Sequence, residues 1–567
     1  MSEPILSVRG LEVSVRDQQG QQVKIVDAVS FDVGPGEVVA LIGESGSGKS
    51  TLSLACMGYV RPGCMVTAGS VALAGEKVTG QSPYRLERLR GKQIAYVAQS
   101  AAASFNSAMT IDQQVIEIPV LSGAMTRAEA LAKAVDLYKT LDLPNPTTIG
   151  KRYPHQLSGG QLQRLMAAMA MISDPMCLIL DEPTTALDVT TQIEVLWSLK
   201  KLIRDRKKAA IFVTHDLSLV SQMADRVLVL KQGKTIEYGA SVDVIAKPQA
   251  AYTRALLAAT SLMPKSIPTE RSAVATVPRP IEQVPLLEIR DVHASYGQHT
   301  ALQQINLTVG RGETVGIIGE SGSGKTTLGR TISGLMTPSS GIVLLDGKPL
   351  SGHVSARSRD EQRGIQFAFQ NADLALNPRH RIDKILGRPM HLLRGLSSTD
   401  AAAEVARLLE RVELPRDFAY RYPTELSGGQ RQRINLARAL AAEPKLIICD
   451  EITSALDTII AGQIMALLKT LQSETGVSYI FITHDLAKVA AFADRIAVMK
   501  KGLVVDQGPT GEVLMPPRHT YTRLLLDSVP QLQNDWLEQA ALKRRYSADA
   551  PCGWTPDADA MEPNPAA

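Results

Sequence analysis

A glycine-rich nonapeptide occurs twice, and this repetition constrains the fold more than any other feature. Gly43-Glu44-Ser45-Gly46-Ser47-Gly48-Lys49-Ser50-Thr51 returns as Gly319-Glu320-Ser321-Gly322-Ser323-Gly324-Lys325-Thr326-Thr327, with the lysines 325 − 49 = 276 residues apart. Three further strings repeat at a constant offset of 269, as in 484 − 215. They are Tyr153-Pro-His-Gln-Leu-Ser158-Gly159-Gly160-Gln161 with Tyr422-Pro-Thr-Glu-Leu-Ser427-Gly428-Gly429-Gln430, Asp181-Glu182 with Asp450-Glu451, and Thr214-His215-Asp216-Leu217 with Thr483-His484-Asp485-Leu486. Self-similarity in one register over most of each half marks a duplicated domain. The 567 residues divide into domains at 1–263 and 286–540, a linker at 264–285 and a C-terminal tail at 541–567. Pro264, Pro268, Pro278 and Pro280 make the linker semi-extended, and Pro551, Pro556, Pro563 and Pro565 make the tail a flexible one.

Each half reads as α/β. Val38-Val-Ala-Leu-Ile42, Met176-Cys-Leu-Ile-Leu180, Val315-Gly-Ile-Ile318 and Leu446-Ile-Ile-Cys449 are short continuous apolar runs that lead directly into polar residues, the pattern of buried parallel strands. Thr126-Arg-Ala-Glu129 is a capping box opening a helix with Leu131, Val135, Tyr138 and Leu141 at helical spacing. Val405, Leu408, Leu409 and Val412 form the counterpart stripe. A parallel-sheet core with an inserted helical subdomain is expected in both halves.

The repeated strings carry a chemistry. A Gly-x-x-x-x-Gly-Lys-[Ser/Thr] loop after a buried strand lets backbone N–H groups curl around phosphates at a helix start. Lys49 and Lys325 then reach the outer phosphates of ATP, and the hydroxyls of Ser50 and Thr326 serve Mg²⁺. Asp181 and Asp450 end apolar strands, so their carboxylates emerge at the carboxyl edge of the sheet, where α/β proteins bind ligands; they are the expected water-mediated Mg²⁺ partners. Glu182 and Glu451 are placed to polarise the water that attacks the γ-phosphorus. One such loop or one Asp-Glu pair is weak evidence; two in register, each behind an apolar run, are strong.

The Leu-Ser-Gly-Gly-Gln strings at 157–161 and 426–430 match the signature of the ATP-binding-cassette (ABC) superfamily, which the chain resembles over roughly residues 5–260 and 286–530. The resemblance implies two P-loop NTPase domains, each with a parallel-sheet core, an antiparallel β part and a helical subdomain. It implies that Gln99 and Gln370 are Q-loop glutamines that sense Mg²⁺, and that His215 and His484 contact γ-phosphate. It also implies head-to-tail pairing, with Ser427, Gly428 and Gly429 completing the first ATP site and Ser158, Gly159 and Gly160 the second. Both halves keep Glu and His, so two hydrolytic sites are expected. Tyr296 stands where the family commonly stacks an aromatic on adenine, whereas the first half has Val15; Ile452 replaces the Pro183 of the first half.

The halves end in Ala251-Tyr-Thr-Arg-Ala-Leu-Leu257 and Thr520-Tyr-Thr-Arg-Leu-Leu-Leu526, which resemble ATPases that import peptides, opines or nickel. Asn377-Pro378 is similar to that class, while Phe105-Asn106-Ser107 departs from it. Neither half has the cysteine-rich tail of some members, so no iron–sulfur cluster is expected. No run of about 20 apolar residues is present, and the N-terminus lacks a basic segment followed by an apolar core. The importer reading therefore calls for two separate transmembrane permease subunits and an extracytoplasmic solute-binding protein, with the chain peripheral to the cytoplasmic face of a bacterial inner membrane. A formal charge of +4, from 61 basic and 57 acidic side chains, argues against a nucleic-acid partner. The rival class, ribosome-associated ABC-F translation factors, would need a long charged helical linker; the linker here is short and proline-containing. The five cysteines lack metal or disulfide spacing.

Overall fold

In the computed structural model, residues 3–16, 20–184, 187–260, 284–297, 299–454, 456–516, 519–532 and 535–545 are described. The linker lies outside them up to residue 283, as does the tail from 546. The chain forms two compact units, Met1–Thr260 with Pro530–Ala567, and Ser261–Val529.

The apolar runs become the central strands. In the first unit a six-stranded sheet has the order Lys234–Ala240, Arg226–Lys231, Val38–Ile42, Ala209–Val213, Cys177–Asp181, Ile94–Val97. All but the antiparallel edge strand Lys234–Ala240 are parallel. Every residue of Val38–Ile42, Cys177–Asp181 and Ala209–Val213 is buried, which explains why these strands read as unbroken apolar runs: both faces are covered. An antiparallel sheet, Gln22–Val33, Leu6–Arg16, Cys64–Leu73 and Glu76–Lys77, alternates buried and outward residues. Its inward side chains Leu6, Val8 and Val71 share one core with Leu41, Leu52, Ile179 and Ile211. The second unit repeats both sheets, with Thr314–Ile318 central and Leu446–Asp450 and Ser478–Ile482 on one side of it.

The helical subdomain follows its capping signals. Thr126 Oγ1 accepts from Glu129 N at 3.3 Å and Glu129 Oε2 accepts from Thr126 N at 2.8 Å, opening helix Arg127–Thr140. Its buried stripe is Ala130, Ala134, Leu137, Tyr138 and Leu141; Leu131 and Val135, expected inside, are half-buried. Ala130 and Ala134 share the close-packed side with Leu137 and Tyr138, and Leu131 and Val135 sit at its margin. In helix Ser398–Arg411 the expected Val405, Leu408 and Leu409 are buried.

Helix Trp536–Arg545 groups with the first unit, whereas the sequence placed residues up to 540 in the second domain and 541 onward in the tail. Trp536, Leu537, Ala540 and Ala541 form a buried i, i+4 stripe, and the helix packs against Val189–Asp205. Lys200 Nζ meets Glu538 Oε1 at 2.5 Å. Gln222 Nε2 donates to Gln531 O at 2.9 Å, while its Oε1 accepts from Leu537 N at 3.0 Å, satisfying a first-turn amide of that helix. No helix among the described residues is long and apolar enough to cross a membrane.

Candidate functional site

The two phosphate loops are built alike from strand end to helix start. Gly48 and Gly324 precede helices Lys49–Ala55 and Lys325–Ser333 at φ 98° and 103°, a left-handed conformation open to glycine. At Gly43 a β-carbon would lie 2.1 Å from Leu230 O, and at Gly319 2.2 Å from Met499 O, so only a bare backbone fits there. The lysines fold back along the loop: Lys49 Nζ donates to Gly43 O and Glu44 O at 2.7 and 2.8 Å, Lys325 Nζ to Gly319 O and Glu320 O at 2.8 and 2.7 Å. Ser45, Gly46, Ser321 and Gly322 are exposed at the loop tips, and Thr51 and Thr327 are half-buried one position past the hydroxyl residues. Ser47 Oγ is buried with no hydrogen-bond partner, a polar atom left for a ligand to satisfy.

Beside each loop the expected carboxylates converge. Ser50 Oγ donates to Asp181 Oδ1 at 3.2 Å, and Thr326 Oγ1 to Asp450 Oδ1 at 3.2 Å. This hydroxyl-plus-carboxylate pair of hard oxygens suits Mg²⁺, which takes few protein oxygens and completes its shell with phosphate and water. Burial drives Asp450 up to about 6, offset in part by the Thr326 bond and reinforced by the neighbouring Glu451 charge. Burial also raises Asp181, against bonds from Tyr96 and Ser50.

The glutamates are gripped from two sides. Gln99 Nε2 donates to Glu182 Oε2 at 2.8 Å, and His215 Nδ1 lies 3.2 Å from Glu182 Oε1. The matching distances for Gln370, His484 and Glu451 are 2.7 and 3.3 Å. Both glutamates have φ 47°, a left-handed conformation that costs a side-chain-bearing residue about 1–2 kcal/mol. Their N–H groups bond Val213 O and Ile482 O at 2.9 Å, on the strands that lead to the histidines. Burial tends to raise Glu451, but the His484 bond and the charges of His484, Lys325 and Lys488 bring it net below the usual range. An ionised carboxylate suits a group that polarises water. The glutamines thus meet the glutamates rather than the Asp–hydroxyl pairs.

The signature strings open helices Gly159–Met171 and Gly428–Leu440. Ser158 and Ser427 accept from Gln161 N and Gln430 N at 3.3 Å, and the glutamine side chains accept in return from the serine N–H groups. Ser158, Gly159, Ser427 and Gly428 are exposed, while Gly160 and Gly429 are buried. A β-carbon on Gly160 would meet Thr191 Cγ2 at 2.1 Å, and on Gly429 Ile460 Cγ2 at 2.7 Å; the second glycine serves helix packing. Tyr296 ends strand Leu287–Tyr296 half-exposed, and Val15 is partly buried on the equivalent strand.

Sequence reading missed three tyrosines here. Tyr96 OH donates to Asp181 Oδ2 at 2.7 Å. Tyr252 OH accepts from Glu44 N at 3.0 Å, and Tyr521 OH from Glu320 N at 3.1 Å. Recurrence of the Tyr-Thr endings was the available signal for the last two.

The sequence profile described as ABC transporter matches residues 26–185 and 302–454. The chain belongs to the ABC transporter family. It is the ATP-binding, ATP-hydrolysing subunit of an importer, working within a multi-component ABC system. A second profile, the C-terminal region of oligopeptide/dipeptide transporters, matches residues 505–552. The glutathione import ATP-binding protein GsiA of Salmonella paratyphi A is 38% identical over 563 residues, covering 93% of this chain and 90% of its own length. GsiA of Escherichia coli K12 is 38% identical over 558 residues, covering 93% and 89%. Among solved structures, cbiO1 from Clostridium perfringens, part of the ABC transporter complex cbiONQ, aligns with 31% identity and TM-score 0.38 over 41% of this chain and 91% of its own.

Proposed function

We propose that this importer takes up small peptides or a closely related solute such as an opine, with ATP hydrolysed at two sites and Mg²⁺ as the metal. The observation that carries the reading is the 38% identity to a glutathione import subunit over 93% of the chain, supported by the oligopeptide/dipeptide match at 505–552. Two permease subunits receive the chain at the cytoplasmic face of the inner membrane, and an extracytoplasmic binding protein delivers solute.

At each site Lys49 or Lys325 leaves its carbonyl partners for the outer phosphates. Mg²⁺, held through Ser50 and Asp181 or Thr326 and Asp450, would neutralise phosphate charge when bound. Glu182 and Glu451 orient the attacking water, while Gln99, His215 and their counterparts fix those carboxylates. The exposed Ser-Gly of a second cassette's signature completes the γ-phosphate contact, so hydrolysis loosens the pair.

The reading is tested by purifying the chain with its membrane partners and measuring ATP-dependent uptake of labelled glutathione and dipeptides into vesicles. Saturable uptake of either supports it. Recovery with ribosomes and without a hydrophobic partner would overturn it.

A further inference from the structure

The endings that mark the import class also touch the phosphate loops. Tyr252 and Tyr521 stand 269 residues apart, and both present their hydroxyl oxygen to the N–H of the second loop residue, Glu44 at 3.0 Å and Glu320 at 3.1 Å. Both rings are held from one side by a lysine at the end of the adjoining strand: Lys231 Nζ lies 4.6 Å from the Tyr252 centroid, and Lys500 Nζ 4.7 Å from that of Tyr521. The helices that carry them are tied to the same place on the edge strand. Glu237 accepts from Gln249 N and Ala250 N at 2.9 and 3.1 Å, just before helix Ala251–Thr260. Asp506, at the equivalent position, accepts from Thr522 Oγ1 at 2.8 Å in helix Thr520–Asp527. The same tyrosine bond thus recurs in both cassettes, each time from a helix anchored to the edge strand.

We infer that Tyr252 and Tyr521 are positioning residues that keep each phosphate loop in its ATP-ready shape. Both backbone groups of Glu44 are held, its N–H by Tyr252 and its carbonyl by Lys49 Nζ at 2.8 Å. An ammonium has three donors, so any bond Lys49 makes to phosphate competes with its bonds to Gly43 O and Glu44 O. The tyrosine bond engages the N–H of Glu44 and is not one of the bonds the lysine gives up. It holds the loop while the lysine changes partners, and it keeps the Glu44 N–H turned away from the cradle that the remaining amides form.

The test is Tyr252→Phe with Tyr521→Phe in the full-length chain, which keeps both rings and lysine contacts and deletes only two hydroxyls. With mant-ATP and steady-state hydrolysis, the dissociation constant and KM should rise about fivefold, the worth of one net hydrogen bond per site, with kcat little changed. Amide exchange across residues 43–51, measured without nucleotide, should accelerate. Thermal stability should fall by no more than the loss of that one bond per site accounts for. Unchanged KM and exchange, a fall in kcat alone, or a KM rise accompanied by a loss of thermal stability well beyond one bond per site would each overturn the inference. The inference rests on the phosphate-loop reading, which Lys49→Ala with Lys325→Ala tests separately. Affinity surviving that pair overturns the loop reading; affinity lost there but intact in the tyrosine pair overturns only the positioning role.

Discussion

In the first cassette the aspartate proposed for the metal site is held by two hydroxyls, Ser50 on one oxygen and Tyr96 on the other. In the second, Phe367 occupies the position of Tyr96, and among the described residues Thr326 supplies the one side-chain bond to Asp450. The signature helices differ as well. Asn435 donates to Phe369 O at 2.8 Å beside the Q-loop glutamine, and Arg438 donates to Ala375 O at 2.6 Å with its guanidinium 5.3 Å from the Phe369 ring. Met166 and Met169 stand at those positions in the first cassette, where Gln163 Nε2 to Ala98 O at 3.1 Å makes the connection to the Q-loop strand. Beside the helices that follow the histidines, Leu217–Met223 and Leu486–Phe492, Lys469 donates to Ala491 O at 2.8 Å, whereas its counterpart Lys200 pairs with Glu538 and Gln222 grips the C-terminal segment. Loop, Asp-Glu pair, glutamine and histidine are the same in both. The duplication has kept the reacting groups and rebuilt what supports them, so the two sites should match in chemistry and differ in stability and local motion.

The largest expected effect separates the cassettes outright. Deleting residues from 530 onward removes Trp536 and Leu537 from the first unit's surface, each worth about 1.5–3 kcal/mol when buried. The first cassette should lose about 3–6 kcal/mol, seen as faster amide exchange in Leu217–Met223 with Leu486–Phe492 unchanged as internal control. Equal acceleration in both helices would break the comparison.

Arg438→Met gives the second signature helix the first one's residue. It leaves the Ala375 carbonyl without its charged donor and should destabilise the second cassette by about 2 kcal/mol, measured by denaturant unfolding, whereas Met169→Ala should leave that cassette unaffected.

A further effect concerns pH. Asp450, raised by burial to about 6 from an ordinary 3.8, adds stability while protonated; that contribution is complete below the ordinary value and is lost as pH rises through about 6. With chelator present, Asp450→Asn should flatten the stability–pH curve of the second cassette between about pH 4 and 6. Tyr96→Phe should bring the first cassette's curve closer to that of the wild-type second, with a loss of about 1 kcal/mol at neutral pH.

Much of this was legible in the sequence because the signals are local. A buried strand followed by a glycine loop, or Thr126 followed by Glu129, states its structure within a few residues. Leu131 and Val135 misled because size was read as depth, while Ala130 and Ala134 took the close contact. The tyrosine bonds and the Gly160–Thr191 contact join distant elements, and no periodicity reports them. Helix Trp536–Arg545 escaped because its stripe is half alanine and its partners, Lys200 and Gln222, lie more than 300 residues earlier.

The claim beneath this comparison is that both cassettes hydrolyse ATP through the glutamate gripped by glutamine and histidine. Glu182→Gln and Glu451→Gln, made singly in the full chain, keep the side-chain shape and remove the charge. Each should lower hydrolysis at its own site about a hundredfold, the modest end of general-base contributions, and so cut steady-state turnover to about half or less, with mant-ATP affinity preserved. Wild-type turnover in either variant would contradict the account.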